Sequence, residues 1–217
     1  LKNYGKMIKK IIVPILFLTL VQMASAQRFQ GGMLAGFNAS QVEGTLINGV
    51  NVNGYHKPGI LAGFFVQTDF APAIFGGMEI KYSQKGARKK IDEKNPDPQK
   101  YVMRLGYVDV PFYAGFRTSD RSSVIAGVSA GYLMHAKEID NYGEIPREDQ
   151  NAFNNFDLQP FFGFQFDMLD QVKLDLRFAL SVLPIREQSG ENPTNYYWHN
   201  NQFNNVISLA GYYYLGR

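Results

Sequence analysis

Apolar and polar residues alternate along most of the chain with a period of two, the mark of strands whose two faces differ. The clearest stretch is Val172-Lys173-Leu174-Asp175-Leu176-Arg177-Phe178-Ala179-Leu180-Ser181-Val182, apolar at every even position, with Lys173, Asp175, Arg177 and Ser181 among the odd ones. A helix would spread those charges around its circumference, whereas a strand gathers them on one side. Segments 29–40, 59–70, 74–87, 101–117, 123–137, 156–168 and 203–215 follow the same rule less strictly. In the third, Ile74, Met78, Ile80 and Tyr82 oppose Glu79, Lys81, Ser83 and Lys85; in the sixth, six apolar residues from Phe156 to Phe166 oppose Asp157, Gln159, Gln165 and Asp167. Each segment exceeds the roughly 9–11 residues with which a tilted strand crosses a bilayer.

The links between segments alternate too. Long ones (41–58, 88–100, 138–155, 187–202) take turns with short ones (71–73, 118–122, 169–171). In an up-and-down barrel this puts every long loop at one end and every tight turn at the other, as in outer-membrane barrels. The fold expected is therefore all-β, an eight-stranded antiparallel up-and-down transmembrane β-barrel. A soluble barrel of the lipocalin type has the same alternation with its faces reversed, apolar inside and polar outside. Alternation alone does not assign the faces. Mixed signs on the polar faces (Glu79 with Lys81, Lys173 with Asp175 and Arg177, and Asp109, Asp157 and Asp167 elsewhere) suit charges paired inside a narrow lumen. Phe70, Phe75, Phe112, Phe116, Phe166 and Tyr213 fall near the short-turn ends, where an aromatic girdle is expected.

The first 26 residues read as a signal peptide. Lys9 and Lys10 precede an apolar run, 11–21, and Ala24-Ser25-Ala26 supplies a small-residue cleavage site that leaves Gln27 first in the mature chain. The domain organisation expected is thus 1–26 signal peptide and 27–217 barrel. The leader carries Lys2, Lys6, Lys9 and Lys10 and no acid, so its removal turns the formal charge from +3 to −1 and removes any case for a nucleic-acid partner. The absence of cysteine excludes a disulfide scaffold, a zinc ribbon and a thiol nucleophile.

Several pieces resemble the PorT-like, "porin family" outer-membrane β-barrel proteins of Bacteroidetes-type bacteria. Gly36-Phe37-Asn38-Ala39-Ser40 is similar to that family's first-strand G-x-N-x-S, and Glu79-Ile80-Lys81-Tyr82-Ser83-Gln84-Lys85-Gly86-Ala87 to its third strand. Tyr107-Val108-Asp109-Val110-Pro111 resembles the fourth, Ala126-Gly127-Val128-Ser129-Ala130-Gly131-Tyr132-Leu133 the fifth, and Tyr212-Tyr213-Tyr214 the aromatic close of the last. The chain departs from the pattern in continuing through Leu215-Gly216-Arg217. The resemblance implies an outer-membrane location and a link to a secretion or assembly complex; eight strands leave no aqueous channel, so "porin" names no activity.

Candidate chemistry is sparse. His56, His135 and His199 fall at the long-loop end without a metal-binding or nucleophile spacing, and no catalytic, cofactor or metal residue is expected. Glu79, Lys81, Asp109, Asp157, Asp175 and Arg177 are the expected interior polar network, with Asp109 as its anchor. Tyr196, Tyr197, Trp198 and His199, which include the one tryptophan, form the expected partner surface. The function expected is a non-catalytic structural, adhesion or secretion-accessory barrel, in contact with outer-membrane lipid and lipopolysaccharide and with an envelope protein complex as a further candidate partner. A soluble barrel binding a small apolar ligand is the alternative, and an outer-leaflet enzyme the third.

Overall fold

A computed structural model describes residues 29–47, 50–52, 54–89, 100–146, 151–187 and 201–215. Eight long strands carry the fold: β1 (Phe29–Glu43), β2 (Lys57–Asp69), β3 (Ile74–Arg88), β4 (Val102–Arg117), β5 (Ser122–Ile139), β6 (Phe156–Leu169), β7 (Val172–Leu180) and β8 (Asn201–Leu215). Each pairs antiparallel with the next, and β1 closes on β8 through a ladder from Gly31↔Leu215 to Glu43↔Phe203. Closure leaves no exposed edge among these strands. Short turns join β2 to β3, β4 to β5 and β6 to β7, each tied across its mouth by backbone bonds such as Phe70 N to Ile74 O and Thr118 N to Ser122 O. The other connections are longer, and the strand ends that they join lie at the opposite end.

The strands differ from the expected segments mostly at that loop end. β1 runs three residues further, to Glu43, and β5 two further, to Ile139, while β7 stops at Leu180 rather than 182. Two small ladders were not foreshadowed by periodicity: Leu46–Ile47 with Val50–Asn51, and Arg186–Glu187 beside the start of β8.

Which face points in is settled by burial. On β7, Lys173, Asp175 and Arg177 are each about 3% exposed or less, whereas Leu174 and Leu176 are 38% and 48% exposed. The same holds around the wall, where Phe37, Ile60, Phe64, Ile80, Phe112, Phe162 and Leu209 all face outward. Along β6 the outward residues from Phe156 to Phe166 cover about 34 Å of strand, or about 25 Å of height at a tilt near 40°, the height of a membrane barrel's apolar band. A lipocalin-type barrel has the opposite arrangement, so that alternative falls. Tyr82, Val108, Tyr132 and Phe156 lie side by side on one rung of the ladder and mark the band's loop-end rim over β3–β6.

One girdle candidate lies elsewhere. Phe75 shares its phase with Glu79 and faces the lumen, fully buried, where it packs with Tyr113, Ile125 and Phe161 near the turn end. The lumen is therefore layered rather than uniformly polar. Phe65, Tyr212 and Tyr214 form a second aromatic cluster, and at the loop end Val42, Val52, Ala87, Tyr101, Met103, Leu105, Tyr107 and Ile185 make an apolar core like that of a soluble domain.

β5 contains the one break in alternation that matters for the outer wall. A bulge opposite Gly106/Tyr107 leaves Met134 unopposed, so that Gly106 faces His135 and Tyr107 faces Leu133. An extra residue shifts the pleat by one. Ser129 and Leu133 point inward below the bulge, and Glu138 above it, while His135 and Lys137 turn to the outside.

Candidate functional site

The lumen at mid-height holds two hydrogen-bonded charge clusters. The first is set across the bore: β3 supplies Glu79 and Lys81, and the paired strands β7 and β8 supply Asp175, Arg177 and Tyr212. The Arg177 guanidinium donates to both Glu79 carboxylate oxygens (2.6 and 3.1 Å) and to Asp175 Oδ2 (2.9 Å). Tyr212 donates its hydroxyl hydrogen to Glu79 (2.8 Å), and Lys81 adds a bond to Glu79 Oε2 (3.1 Å). Gln165 extends the cluster, donating to Asp175 at 2.6 Å and accepting from Lys173 at 3.3 Å. The planar fork of arginine matches a carboxylate bidentately, and the aromatic faces of Tyr113, Phe161 and Tyr212 lie about 5 Å from it.

The second cluster sits nearer the loops and centres on Lys85. Its ammonium donates to Asp109 (3.0 Å) and Gln159 (2.7 Å) and lies 3.7 Å from Asp157. Asp157 also accepts from Ser181 (2.7 Å) and Asn204 (2.8 Å), and the Tyr107 ring flanks the ammonium at 4.5 Å. A void of about 20 Å³ separates the two clusters, room for about one water. The side chains fill the bore, as the diameter of eight strands dictates.

The six residues expected in an interior network thus divide. Glu79, Lys81, Asp175 and Arg177 belong to the first cluster, and Asp109 and Asp157 to the second. Asp109 is one ligand of Lys85 rather than the anchor. Lys85 itself was not singled out, although it shares the phase of Glu79, Lys81 and Ser83. Gln159 and Gln165 share the polar face of Asp157 and Asp167 but carry no charge to mark them as network members, and Asn204 and Tyr212 give no distinctive signal at all.

A third ion pair lies above the band. Arg186 donates to both oxygens of Glu138 (2.7 and 3.0 Å) and to Gln202 (2.8 Å), the Tyr101 hydroxyl donates to Glu138, and Phe153 covers the guanidinium at 4.3 Å. Burial, then the adjacent Glu138 carboxylate, raises the Tyr101 phenol above its ordinary pKa; burial works to lower that of Arg186, but hydrogen bonds to Glu138 and its charge hold it higher. Both groups keep their neutral and cationic forms respectively across the physiological range. Glu138→Ala is expected to destabilise this loop-end core by about 2–3 kcal/mol, since it strands a buried guanidinium. Limited trypsin digestion checks it: loop cleavage accelerates while the membrane-embedded strands stay protected.

Of the histidines, His135 stacks beside Tyr82 on the outer wall, His56 lies against Gly54, and His199 lies outside the described residues. So do Tyr196, Tyr197 and Trp198, and the residues of the expected leader. Among the described residues no group of three or more His, Cys, Asp or Glu side chains is placed to hold a metal.

An apolar outer wall of bilayer height, a closed ladder and a bore packed with paired charges define a transmembrane β-barrel of the outer-membrane type. The model of the family described as "Outer membrane protein beta-barrel domain" matches residues 22–186, and the chain belongs to that family. Among solved structures it is similar to Ail, the attachment invasion locus protein of Yersinia pestis, in complex with the heparin analogue sucrose octasulfate: 16% identity, 87% of this chain and 99% of that one covered, TM-score 0.49. Neisserial surface protein A is similar at 11% identity, with 87% and 98% covered and a TM-score of 0.43. No curated protein sequence matches the chain.

Proposed function

We propose that this outer-membrane barrel is non-catalytic and acts through its loop end as a structural, adhesion or secretion-accessory component. The observation that carries the reading is the filled bore: the carboxylates and cations of its two clusters are engaged with one another, which leaves the loops as the surface for a partner. The apolar core around Tyr101, Met103 and Tyr107 supports it, because it fixes the loop bases above the band as a soluble domain would. The motif resemblance to PorT-like barrels favours a secretion or assembly complex within that range. Tyr196, Tyr197, Trp198 and His199 are the proposed contact residues, lipopolysaccharide is the proposed lipid neighbour of the loop end, and cleavage after Ala26 is the proposed export step.

The chain has no cysteine, so single cysteines give clean reporters. A membrane-impermeant maleimide is expected to label Gly190→Cys on intact cells and Asp170→Cys only after permeabilisation. Replacing Tyr196–His199 with serines is expected to abolish cross-linking to an envelope partner while the heat-modifiable gel mobility of the barrel persists. Labelling with the opposite sidedness, or an unchanged cross-linking pattern, overturns the reading.

A further inference from the structure

Directly above the aromatic rung of Tyr82, Val108, Tyr132 and Phe156, the barrel wall carries a cleft of about 580 Å³ that opens between exposed cations and reaches inward to the buried Lys57, Lys85, Val102 and Leu105. Lys57 comes from the start of β2, Arg88 from the end of β3, Lys100 and Arg104 from the approach to β4 and β4 itself, and Lys137 from β5. We propose that this cleft binds the phosphates of a phosphorylated glycolipid of the outer leaflet, whose acyl chains lie on the β3–β5 wall below. The proposal rests on the reading that the loop end faces outward.

Register makes the cluster electrostatically costly on its own. Arg104 stands directly opposite Lys137 across the β4–β5 ladder, and like charges so placed are destabilising. Lys57 is 7% exposed and feels the charges of both Arg104 and Arg88. Of the lining cations, Lys137 pairs with the exposed Glu144 and Lys85, at the inner end, with Asp109 and Asp157 of the bore, while among the described residues Lys57, Arg88, Lys100 and Arg104 have no ion pair. A multivalent anion relieves that repulsion.

Local backbone features open the site. Gly86, opposite Arg104, adopts φ +137°, where a side chain is strained, and a Cβ there would lie 2.1 Å from the Met103 carbonyl oxygen. The wall between Arg88 and Arg104 stays bare in consequence. The β5 bulge turns Lys137 and His135 outward, and the His135 ring then lies over Gly106 as the floor of the cleft.

Height selects the ligand. Arg104 is four residues above Val108, about 14 Å along the strand and about 10 Å along the barrel axis at a tilt near 40°. That is the headgroup layer, and long arginine and lysine stems reach down to it. Below the rung, Met78, Ile80 and Phe112 offer acyl chains an apolar wall. A lipid satisfies both levels together, which a free phosphate does not.

The test uses the full chain refolded in detergent, with native mass spectrometry reading bound lipid. A bis-phosphorylated glucosamine-disaccharide glycolipid (lipid A) is expected to bind at least tenfold more tightly than its dephosphorylated form. The Arg88→Gln/Arg104→Gln variant is expected to lose about tenfold in affinity, and Arg88→Lys/Arg104→Lys to keep most of it. Heat-modifiable mobility establishes that each variant is folded, and the lysine pair serves alone if the glutamine pair does not fold. Inorganic pyrophosphate at matched concentration is expected not to compete; full competition overturns the glycolipid in favour of a free-phosphate site. Equal binding by the dephosphorylated glycolipid, or by the glutamine pair, overturns the site altogether. Binding in detergent does not depend on sidedness, so reversed cysteine labelling would overturn the orientation while this measurement stood.

Discussion

Replacing Arg177 with methionine is expected to destabilise the barrel by about 3–5 kcal/mol, the cost of leaving a buried ionic group without its partner. The side chain holds Glu79 and Asp175 together with its guanidinium, all three residues being 1–3% exposed. Methionine fills similar volume but leaves the Glu79 and Asp175 carboxylates facing one another in a bore filled by side chains. The urea midpoint at which the fast-migrating folded band disappears should fall well below that of the unaltered protein. The double variant Arg177→Met/Glu79→Gln should recover about 1–3 kcal/mol relative to the sum of the single changes, because the stranded Glu79 charge is then removed. Equal midpoints for Arg177→Met and the unaltered protein would show that the cluster contributes nothing to stability.

The neighbouring residue is expected to respond in the opposite chemical sense. Leu176 is 48% exposed on the outer wall, beside Leu209 and Phe164 in the ladder. Leu176→Arg places a charge in the lipid, which costs about 2–4 kcal/mol at the midplane of a barrel and less near the interfaces. The variant should accumulate as an unassembled species without heat-modifiable mobility, while Leu176→Ala assembles. Normal assembly of Leu176→Arg would mean that this face does not meet lipid. Removing an arginine at one position and adding one at the next are both harmful, because a strand turns successive residues to opposite solvents.

The alternation in Val172–Leu180 makes that contrast legible in the sequence, and the loop rhythm carries strand number and order. Which face meets lipid was not legible from alternation, since reversing every residue leaves the period unchanged; burial of Lys173, Asp175 and Arg177 decides it. Of the interior site, the charged residues could be collected by phase, but not their partition. Glu79 and Lys85 are six residues apart on one strand and serve different clusters, because the tilt of the wall brings Arg177 to one and Asp157 to the other. The apolar loop-end core was hidden because Val42, Val52, Tyr101 and Ile185 come from four separate places in the chain. The basic cleft was hidden for a further reason. Lys137 has the phase of inward-facing Ser129, and only the bulge after Leu133, which no residue pattern announces, turns it outward.

The same alternation bears on how the protein reaches its membrane. Read as a helix, the Val172–Leu180 stretch would carry Lys173, Asp175 and Arg177 into the hydrocarbon at about 2.5–3.5 kcal/mol each near the centre. None of the eight described strands is a continuous apolar run that a bilayer would hold as a helix, because polar residues recur along one face of each. The hydrophobic surface belongs to no segment at all and comes into being only when neighbouring strands register and the ladder closes. Insertion and folding of this protein are for that reason one event, and a defect in either is read out as a defect in both.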